Sequence, residues 1–301
     1  MFDFSSIPSP VLLPGSDRSA YRDPAVYYKD GTFYLFCTYV ECHEDGPFMT
    51  VVQSVSSDLI HWSTPRELTV RDRRLNFSSP GNVVFFQGMY YLCLQTYCRE
   101  NGEKYGNSRS RLWTMRSADL LHWEEPRLLR VKGNIPEEEM GRMIDPYLIE
   151  DRRNPGKWWC LYKQNGVSRS YSTDLENWTF SGHTECGENV CVLADEEGYR
   201  IFHSPRNGIG VLRTEDFAHF REEDELITLG QKHWPWAQGR LTAGFVLDLR
   251  ADPNYGKYIL FFHGSGPEDE ETMFDFNASI GIAWSDDLQV WEYPGKEDRD
   301  A

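Results

Sequence analysis

A six-residue pattern occurs five times along the chain and constrains its fold more than any other feature. Each copy contains Asp, then Leu or Phe, two variable residues and an aromatic ring, as in Ser57-Asp58-Leu59-Ile60-His61-Trp62. The copies begin at residues 57, 118, 173, 215 and 286. Recurrence on this scale indicates a repeat architecture in which each copy belongs to one structural unit.

Runs of β-prone residues joined by glycine turns precede each copy. In the first unit, Asp30-Gly31 separates two runs rich in aromatic and β-branched residues, which is a strong hairpin signal. A third run leads into the Asp-Leu turn, and the residues after the aromatic ring can form a fourth strand. Four antiparallel strands repeated five times predict an all-β fold, a five-bladed β-propeller. The absence of long stretches with helical periodicity argues against an α/β fold.

We expect a single domain over residues 1–301, with residues 1–20 as an extended lead-in. The blades are predicted near residues 21–70, 80–130, 143–182, 188–229 and 241–293. The repeated aspartates are expected to be structural, because an aspartate in a tight turn accepts backbone N–H bonds while the nearby ring packs in the core. These aspartates are Asp58, Asp119, Asp174, Asp216 and Asp287.

The chain is acidic, with 31 Lys and Arg against 47 Asp and Glu and a formal net charge of −16. Such a charge repels phosphate backbones and anionic lipids, so it argues against nucleic-acid and membrane partners. The sequence has no secretory signal pattern after Met1. The seven cysteines lack zinc-site spacing, and several lie in apolar runs where a free thiol packs well. We therefore expect a cytoplasmic protein with reduced cysteines, and its oligomeric state stays open.

Residues at the start of the first strand of each blade are the best candidates for chemistry. In a propeller the innermost strands surround one axis, so side chains at their starts face one cavity. Asp23, Asp145 and Glu188 open blades 1, 3 and 4, and Arg240 opens blade 5. A carboxylate in such a place is costly to bury unless it is used. The sequence therefore predicts three acids and one arginine around a single pocket.

The Asp-Pro pairs at Asp23 and Asp145, a glutamate at Glu188 and the Asp-Leu-x-x-Trp repeats resemble glycoside hydrolase family 43 and its relatives, families 32, 62, 68 and 117. The resemblance covers about residues 20–293 and implies a glycosidase. By this resemblance Asp23 is the general base, Glu188 the general acid, and Asp145 the group that positions the acid and raises its pKa. One departure is that Asn189-Val190 replaces the Gly-Pro that follows the family's glutamate.

Two further residues are alternative acids. Glu185 precedes Cys186, and this Glu-Cys pair resembles that of the fructan-cleaving families, which retain configuration, whereas family 43 inverts it. His183 is a third candidate, since some anhydrosugar-cleaving relatives use a histidine as the acid. Residues expected to contact the substrate are Arg240, Trp234, Trp236 and His263, with a hydrogen-bonded core role as the alternative for His263.

The expected activity is hydrolysis of a furanoside or pentoside linkage in an arabinose- or xylose-containing oligosaccharide, with inversion. Glycoside hydrolysis needs a protonated carboxyl at the leaving oxygen and an ionised one on the opposite face of the sugar. The alternatives are a fructoside- or anhydrosugar-cleaving hydrolase and a non-catalytic carbohydrate-binding propeller. No cofactor is required and no metal ligands are predicted, although the propeller axis can accommodate a structural metal ion or a water.

Overall fold

The computed structural model describes residues 1–44, 46–184, 186–223, 225–267, 272 and 274–296. Within these residues, antiparallel strands form five separate sheets. The described helices are 3-10 turns of three residues, none of which can cross a membrane: Phe4–Ser6, Glu137–Glu139, Gln231–His233 and Pro235–Ala237. The predicted all-β, five-bladed propeller is confirmed.

The strands of the first three blades follow a short N-terminal strand, β1 (Val11–Leu13). Blade 1 contains β2 (Ser19–Lys29), β3 (Thr32–His43), β4 (Gly46–Ser56) and β5 (Arg66–Glu67). Blade 2 contains β6 (Phe77–Ser78), β7 (Val83–Phe86), β8 (Met89–Thr96), β9 (Leu112–Ser117) and β10 (Arg127–Leu128). Blade 3 contains β11 (Ile144–Glu150), β12 (Trp158–Lys163), β13 (Val167–Ser172) and β14 (Thr179–Thr184).

The last two blades complete the ring. Blade 4 contains β15 (Glu188–Asp195), β16 (Gly198–Ser204), β17 (Gly210–Thr214) and β18 (Arg221–Glu222). Blade 5 contains β19 (Arg240–Asp248), β20 (Tyr258–Ser265), β21 (Ser279–Ser285) and β22 (Trp291–Glu292). The first strand of each blade is the innermost, and neighbouring inner strands contact one another around the axis. In blade 2 this inner position is divided between β6 and β7, which both pair with β8.

The N-terminal segment is more ordered than the extended lead-in that the sequence suggests. Strand β1 pairs with β21, so the outer strand of blade 5 is made from β1 together with β22. An unpaired strand edge exposes backbone N–H and C=O groups, and β1 satisfies those of β21. The ring of Phe4 lies 5.0 Å from that of Trp284 and is buried, which ties the segment to the same blade. Both ends of the propeller therefore meet in one sheet.

The five repeats form the same turn. Each repeated aspartate accepts backbone N–H bonds from the residues two and three positions further on, as Asp119 does from Leu121 (2.8 Å) and His122 (2.7 Å). The residue after the aspartate adopts a left-handed backbone, with φ between 57° and 66° in all five copies. Its side chain is buried in the first four copies and holds this unusual conformation in place. The predicted structural role of these aspartates is confirmed.

Replacing Asp174 with alanine should destabilise the protein without affecting its site. The carboxylate accepts bonds from the backbone N–H groups of Glu176 (2.9 Å) and Asn177 (2.7 Å) and from the Ser172 hydroxyl (2.9 Å). Loss of these contacts should lower the free energy of unfolding by about 1–2 kcal/mol in urea denaturation. Glu176→Ala, at an exposed carboxylate in the same turn, is the matched control and should change it little. Equal stability of the two variants would contradict a structural role for the turn.

Candidate active site

The inner strands of all five blades share a backbone irregularity close to the axis. In each blade one residue that is not glycine has a left-handed backbone, with φ between 38° and 52°. These residues are Asp23, Ser79, Asp145, Asn189 and Ala243. In four blades the pairing with the next strand shifts register at this point, as in a β-bulge. Backbone strain of this kind clusters at functional sites, because it aims side chains where regular strands cannot.

A cavity of about 390 Å³ lies where these inner strands converge. The structure brings the three predicted carboxylates, Asp23, Asp145 and Glu188, to its wall, together with Arg240 and His263. Two of the carboxylates are bulge residues. Glu188 instead lies one position before Asn189, the left-handed residue of blade 4. Its side chain is one methylene longer than that of aspartate, and it lines the same cavity.

Asp23 is held in one orientation by hydrogen bonds from three blades. The hydroxyls of Thr38 and Ser79 donate to Oδ2 at 3.0 and 3.1 Å. The Asp23 backbone N–H donates to Nδ1 of His263 at 3.0 Å, and this nitrogen lies 3.6 Å from Oδ1. Burial lowers the pKa of His263 to about 4, so the ring is neutral near pH 7. His263 therefore supports the backbone of Asp23, in agreement with the hydrogen-bonded alternative.

Asp145 is the most enclosed of the three acids, with 7% of its surface exposed. Its backbone N–H donates to Gln95 Oε1 at 2.6 Å, and the amide of Asn189 lies 3.4 Å from Oδ1. Burial, followed by the negative charges of Glu188 and Asp23, raises the pKa of Asp145 to about 7. Such a carboxyl retains its proton up to near-neutral pH.

Glu188 lies in a different electrostatic environment. Its carboxylate forms ion pairs with Lys163 Nζ and with Arg240 Nη2, the latter at 3.3 Å. The glutamate is thereby held between two cations, one from blade 3 and one from blade 5. Arg240 also lies over the ring of Phe274, with its guanidinium carbon 5.0 Å from the ring centre. The arginine expected to bind substrate is therefore engaged with the predicted acid.

The other predicted residues lie elsewhere. His183 lies on β14, the outermost strand of blade 3 and therefore the one farthest from the axis. Its side chain is exposed to solvent. Trp234 and Trp236 stack on Phe262 at 6.1 and 5.8 Å and do not line the cavity. Their expected stacking on a sugar is therefore replaced by packing against blade 5. Glu185 lies outside the described residues.

Sequence reasoning missed much of the cavity wall. Five of the missed residues come from the connections 97–111 and 129–143, in which no periodic pattern marks them: Tyr97, Arg99, Lys104, Tyr105 and Arg142. Others, including Arg22, Gln95, Lys163 and Phe274, come from elsewhere in the chain. Only the length of these connections in a compact repeat could have pointed to them. The part of the chain that the structure describes contains no group of three metal-ligating side chains.

No protein-family model matches the chain, and no curated protein sequence matches it. Solved structures do, over nearly the whole length. An exo-1,5-α-L-arabinanase from a bovine ruminal metagenomic library is 14% identical, covers 97% of this chain and 99% of its own, and has a TM-score of 0.61. The α-L-arabinofuranosidase of Podospora anserina, in complex with cellotriose, is 13% identical over 93% and 99%, with a TM-score of 0.63.

A third similar structure is a family 117 glycoside hydrolase of the marine bacterium Zobellia galactanivorans. It is 15% identical over 89% of this chain and 85% of its own, with a TM-score of 0.64. At such low identity the likeness concerns the fold, since one fold carries many functions. The chain has the five-bladed β-propeller fold found in these glycoside hydrolases.

Proposed function

We propose that the protein is a glycoside hydrolase that cleaves a furanoside or pentoside linkage of an arabinose- or xylose-containing oligosaccharide. The observation that carries the proposal is the convergence of Asp23, Asp145 and Glu188, from three different blades, on one axial cavity. A pair of carboxyl groups in different protonation states is what glycoside hydrolysis requires. The arabinanase and the arabinofuranosidase with the same fold support this class of sugar.

Asp23 is the general base in this proposal. Its carboxylate is oriented by the hydroxyls of Thr38 and Ser79, and the neutral ring of His263 supports its backbone without supplying a proton. A carboxylate fixed in this way can accept a proton from a water molecule that attacks the anomeric carbon. Attack by water rather than by Asp23 itself inverts the configuration.

The proton donor is the pair formed by Asp145 and Glu188. When two carboxyl groups interact strongly, the apparent pKa values belong to the pair and not to either residue alone. Lys163 and Arg240 hold Glu188 in ion pairs, and burial favours the proton on Asp145. Glu188 can deliver that proton if the substrate draws the two cations away from it. Direct donation by Asp145 requires no such rearrangement and is the alternative assignment within this pair.

Replacing Asp23 with asparagine should abolish most of the activity. Removal of a general base lowers kcat by about 10²- to 10⁴-fold. Activity is measured on a panel of 4-nitrophenyl α-L-arabinofuranosides and β-D-xylosides, and NMR of the first product gives its anomeric configuration. Asp30→Asn, in the exposed hairpin of the same blade, is the matched control and should retain full activity. An Asp23→Asn variant as fast as the wild type would eliminate this residue as the base.

Activity on substrates with different leaving groups shows whether Glu188 or Asp145 donates the proton. Glu188→Gln should lose most activity on glycosides with poor leaving groups and least on 4-nitrophenyl glycosides, because the latter need little protonation. Asp145→Asn should instead move the basic limb of the pH–rate profile to lower pH, since it removes the carboxyl group whose pKa lies at about 7 and which shares its proton with Glu188. If the leaving-group dependence appears in Asp145→Asn and not in Glu188→Gln, then Asp145 donates the proton directly.

Asp145 should also make stability depend on pH. Its pKa rises from 3.8 to about 7 on folding, so the folded protein binds more protons than the unfolded chain between these values. Stability from this group is therefore present at low pH and is lost as pH rises towards 7, by at most about 4 kcal/mol. Asp145→Asn should consequently gain stability relative to the wild type between pH 5 and pH 8 in urea denaturation. A difference that is the same at both pH values, as expected for the control Asp30→Asn, would refute the raised pKa.

A further inference from the structure

The cavity wall is rich in cations although the chain carries a net charge of −16. Among the described lining residues, six basic side chains face three carboxylates. The basic residues are Arg22, Arg99, Lys104, Arg142, Lys163 and Arg240. Cations concentrated at one site attract an anionic ligand and give a neutral ligand no comparable electrostatic advantage.

Four of these cations have a carboxylate partner within the protein. Arg22 and Arg99 form ion pairs with Asp275, at 3.5 and 2.8 Å. Lys163 and Arg240 form ion pairs with Glu188. Their charges are therefore largely offset. Arg142 and Lys104, by contrast, have no carboxylate within 4 Å among the residues that the structure describes, although the charge of Arg142 acts at longer range on Asp145.

Arg142 is held so that one edge of its guanidinium remains available. Its Nε donates to the backbone oxygen of Gly106 at 2.7 Å, and its guanidinium carbon lies 5.7 Å from the centre of the Tyr97 ring. Its backbone oxygen accepts a bond from the Gln164 amide at 2.8 Å. With Nε engaged, the two terminal nitrogens have no hydrogen-bond partner among the described residues. A planar guanidinium fixed in this way suits a carboxylate or a sulfate, which can accept two parallel hydrogen bonds.

Lys104 reaches the cavity from the segment that Arg142 contacts. It lies two residues before Gly106, which has no room for a side chain because a Cβ atom there would lie 2.6 Å from the Tyr97 ring. The segment is thus fixed close to Arg142, and two positive charges face the same space. The ring of Tyr105 is 54% exposed and lines the same side of the cavity, where an apolar sugar face can stack on it.

We propose that Arg142 and Lys104 bind an anionic group of the substrate, so that the oligosaccharide carries a carboxylate or a sulfate ester near the cleaved linkage. This inference rests on the proposed glycoside hydrolase function and specifies its substrate class. The anion satisfies the two unpaired cations, Tyr105 contacts the sugar that bears it, and the three carboxylates act on the neighbouring linkage. The arrangement selects charged substrates over neutral ones of the same shape.

Matched ligands that differ only in charge test this inference. Acidic oligosaccharides from a glucuronoarabinoxylan are compared with the same material after carboxyl reduction, and sulfated galactan oligosaccharides with the same material after desulfation. Affinities are measured by calorimetry with the full-length Asp23→Asn protein, in which hydrolysis is blocked. Hydrolysis of the same four preparations by the wild-type protein is measured separately by mass spectrometry.

We expect at least one charged preparation to bind about tenfold or more tightly than its neutral counterpart. A charge-assisted pair of hydrogen bonds accounts for a change of this size, so Arg142→Met should weaken that binding about tenfold to a hundredfold and leave the neutral ligand unaffected. Lys104→Gln, at an exposed side chain whose ammonium lies 5.8 Å from the centre of the Tyr105 ring and forms no ion pair among the described residues, should also weaken this binding. Because the side chain is exposed, this variant should fold normally. Arg109→Met, at an exposed arginine of the same connection that does not line the cavity, is the matched control.

The outcomes separate this inference from the proposed function. A preference limited to the glucuronate pair assigns a carboxylate, and one limited to the galactan pair assigns a sulfate ester. Equal affinity for charged and neutral ligands, or no effect of Arg142→Met and Lys104→Gln, overturns the anion site even if neutral arabinosides are hydrolysed. Tight binding of a charged ligand without hydrolysis of any glycoside leaves the anion site standing and overturns the hydrolase.

Discussion

The left-handed residue in the inner strand of each blade is the constraint on which the site depends. At this residue the inner strands leave the regular pleat, and in four blades the pairing with the next strand shifts register there. The backbone is alike in every blade, yet the residues differ: Asp23, Ser79, Asp145, Asn189 and Ala243. The fold thus supplies one geometry five times, and the choice of side chain at each position supplies the chemistry.

Carboxylates with the same backbone conformation then differ in their electrostatic surroundings. Asp23 and Asp145 occupy equivalent bulges, but hydroxyl donors surround the first, whereas burial and nearby negative charges surround the second. Glu188, one residue away from its own bulge, reaches the cations Lys163 and Arg240. An acid held by hydroxyl donors, a buried acid with a raised pKa and an ion-paired acid therefore share a cavity of about 390 Å³. Separating the protonation states of neighbouring acids is how one site holds both an acid and a base near neutral pH.

The sequence predicted what depends on local chemistry and missed what depends on packing between distant segments. Asp-Leu turns and Asp-Gly hairpins are short-range signals, so the blades and the inner-strand carboxylates could be predicted. The ion pair between Glu188 and Lys163 joins the second strand of one blade to the first strand of the next, and no spacing along the chain indicates it. The sequence predicted that Trp234 stacks on a sugar, because its position in a connection does not show whether the ring faces a cavity or the core. In the structure it stacks on Phe262.

The chain is acidic as a whole although its cavity wall is rich in cations, and the two facts are compatible because charges interact over a limited distance. A net charge of −16 is spread over the surface, and salt screens it beyond about 8 Å at physiological ionic strength. At the cavity wall the paired charges lie within 4 Å of one another, so individual pairs outweigh the distant surface charge. Asp275 and Glu188 each hold two cations there, and Arg142 and Lys104 have no such partner among the described residues. An anionic ligand can therefore be attracted locally by a protein that repels polyanions from most of its surface.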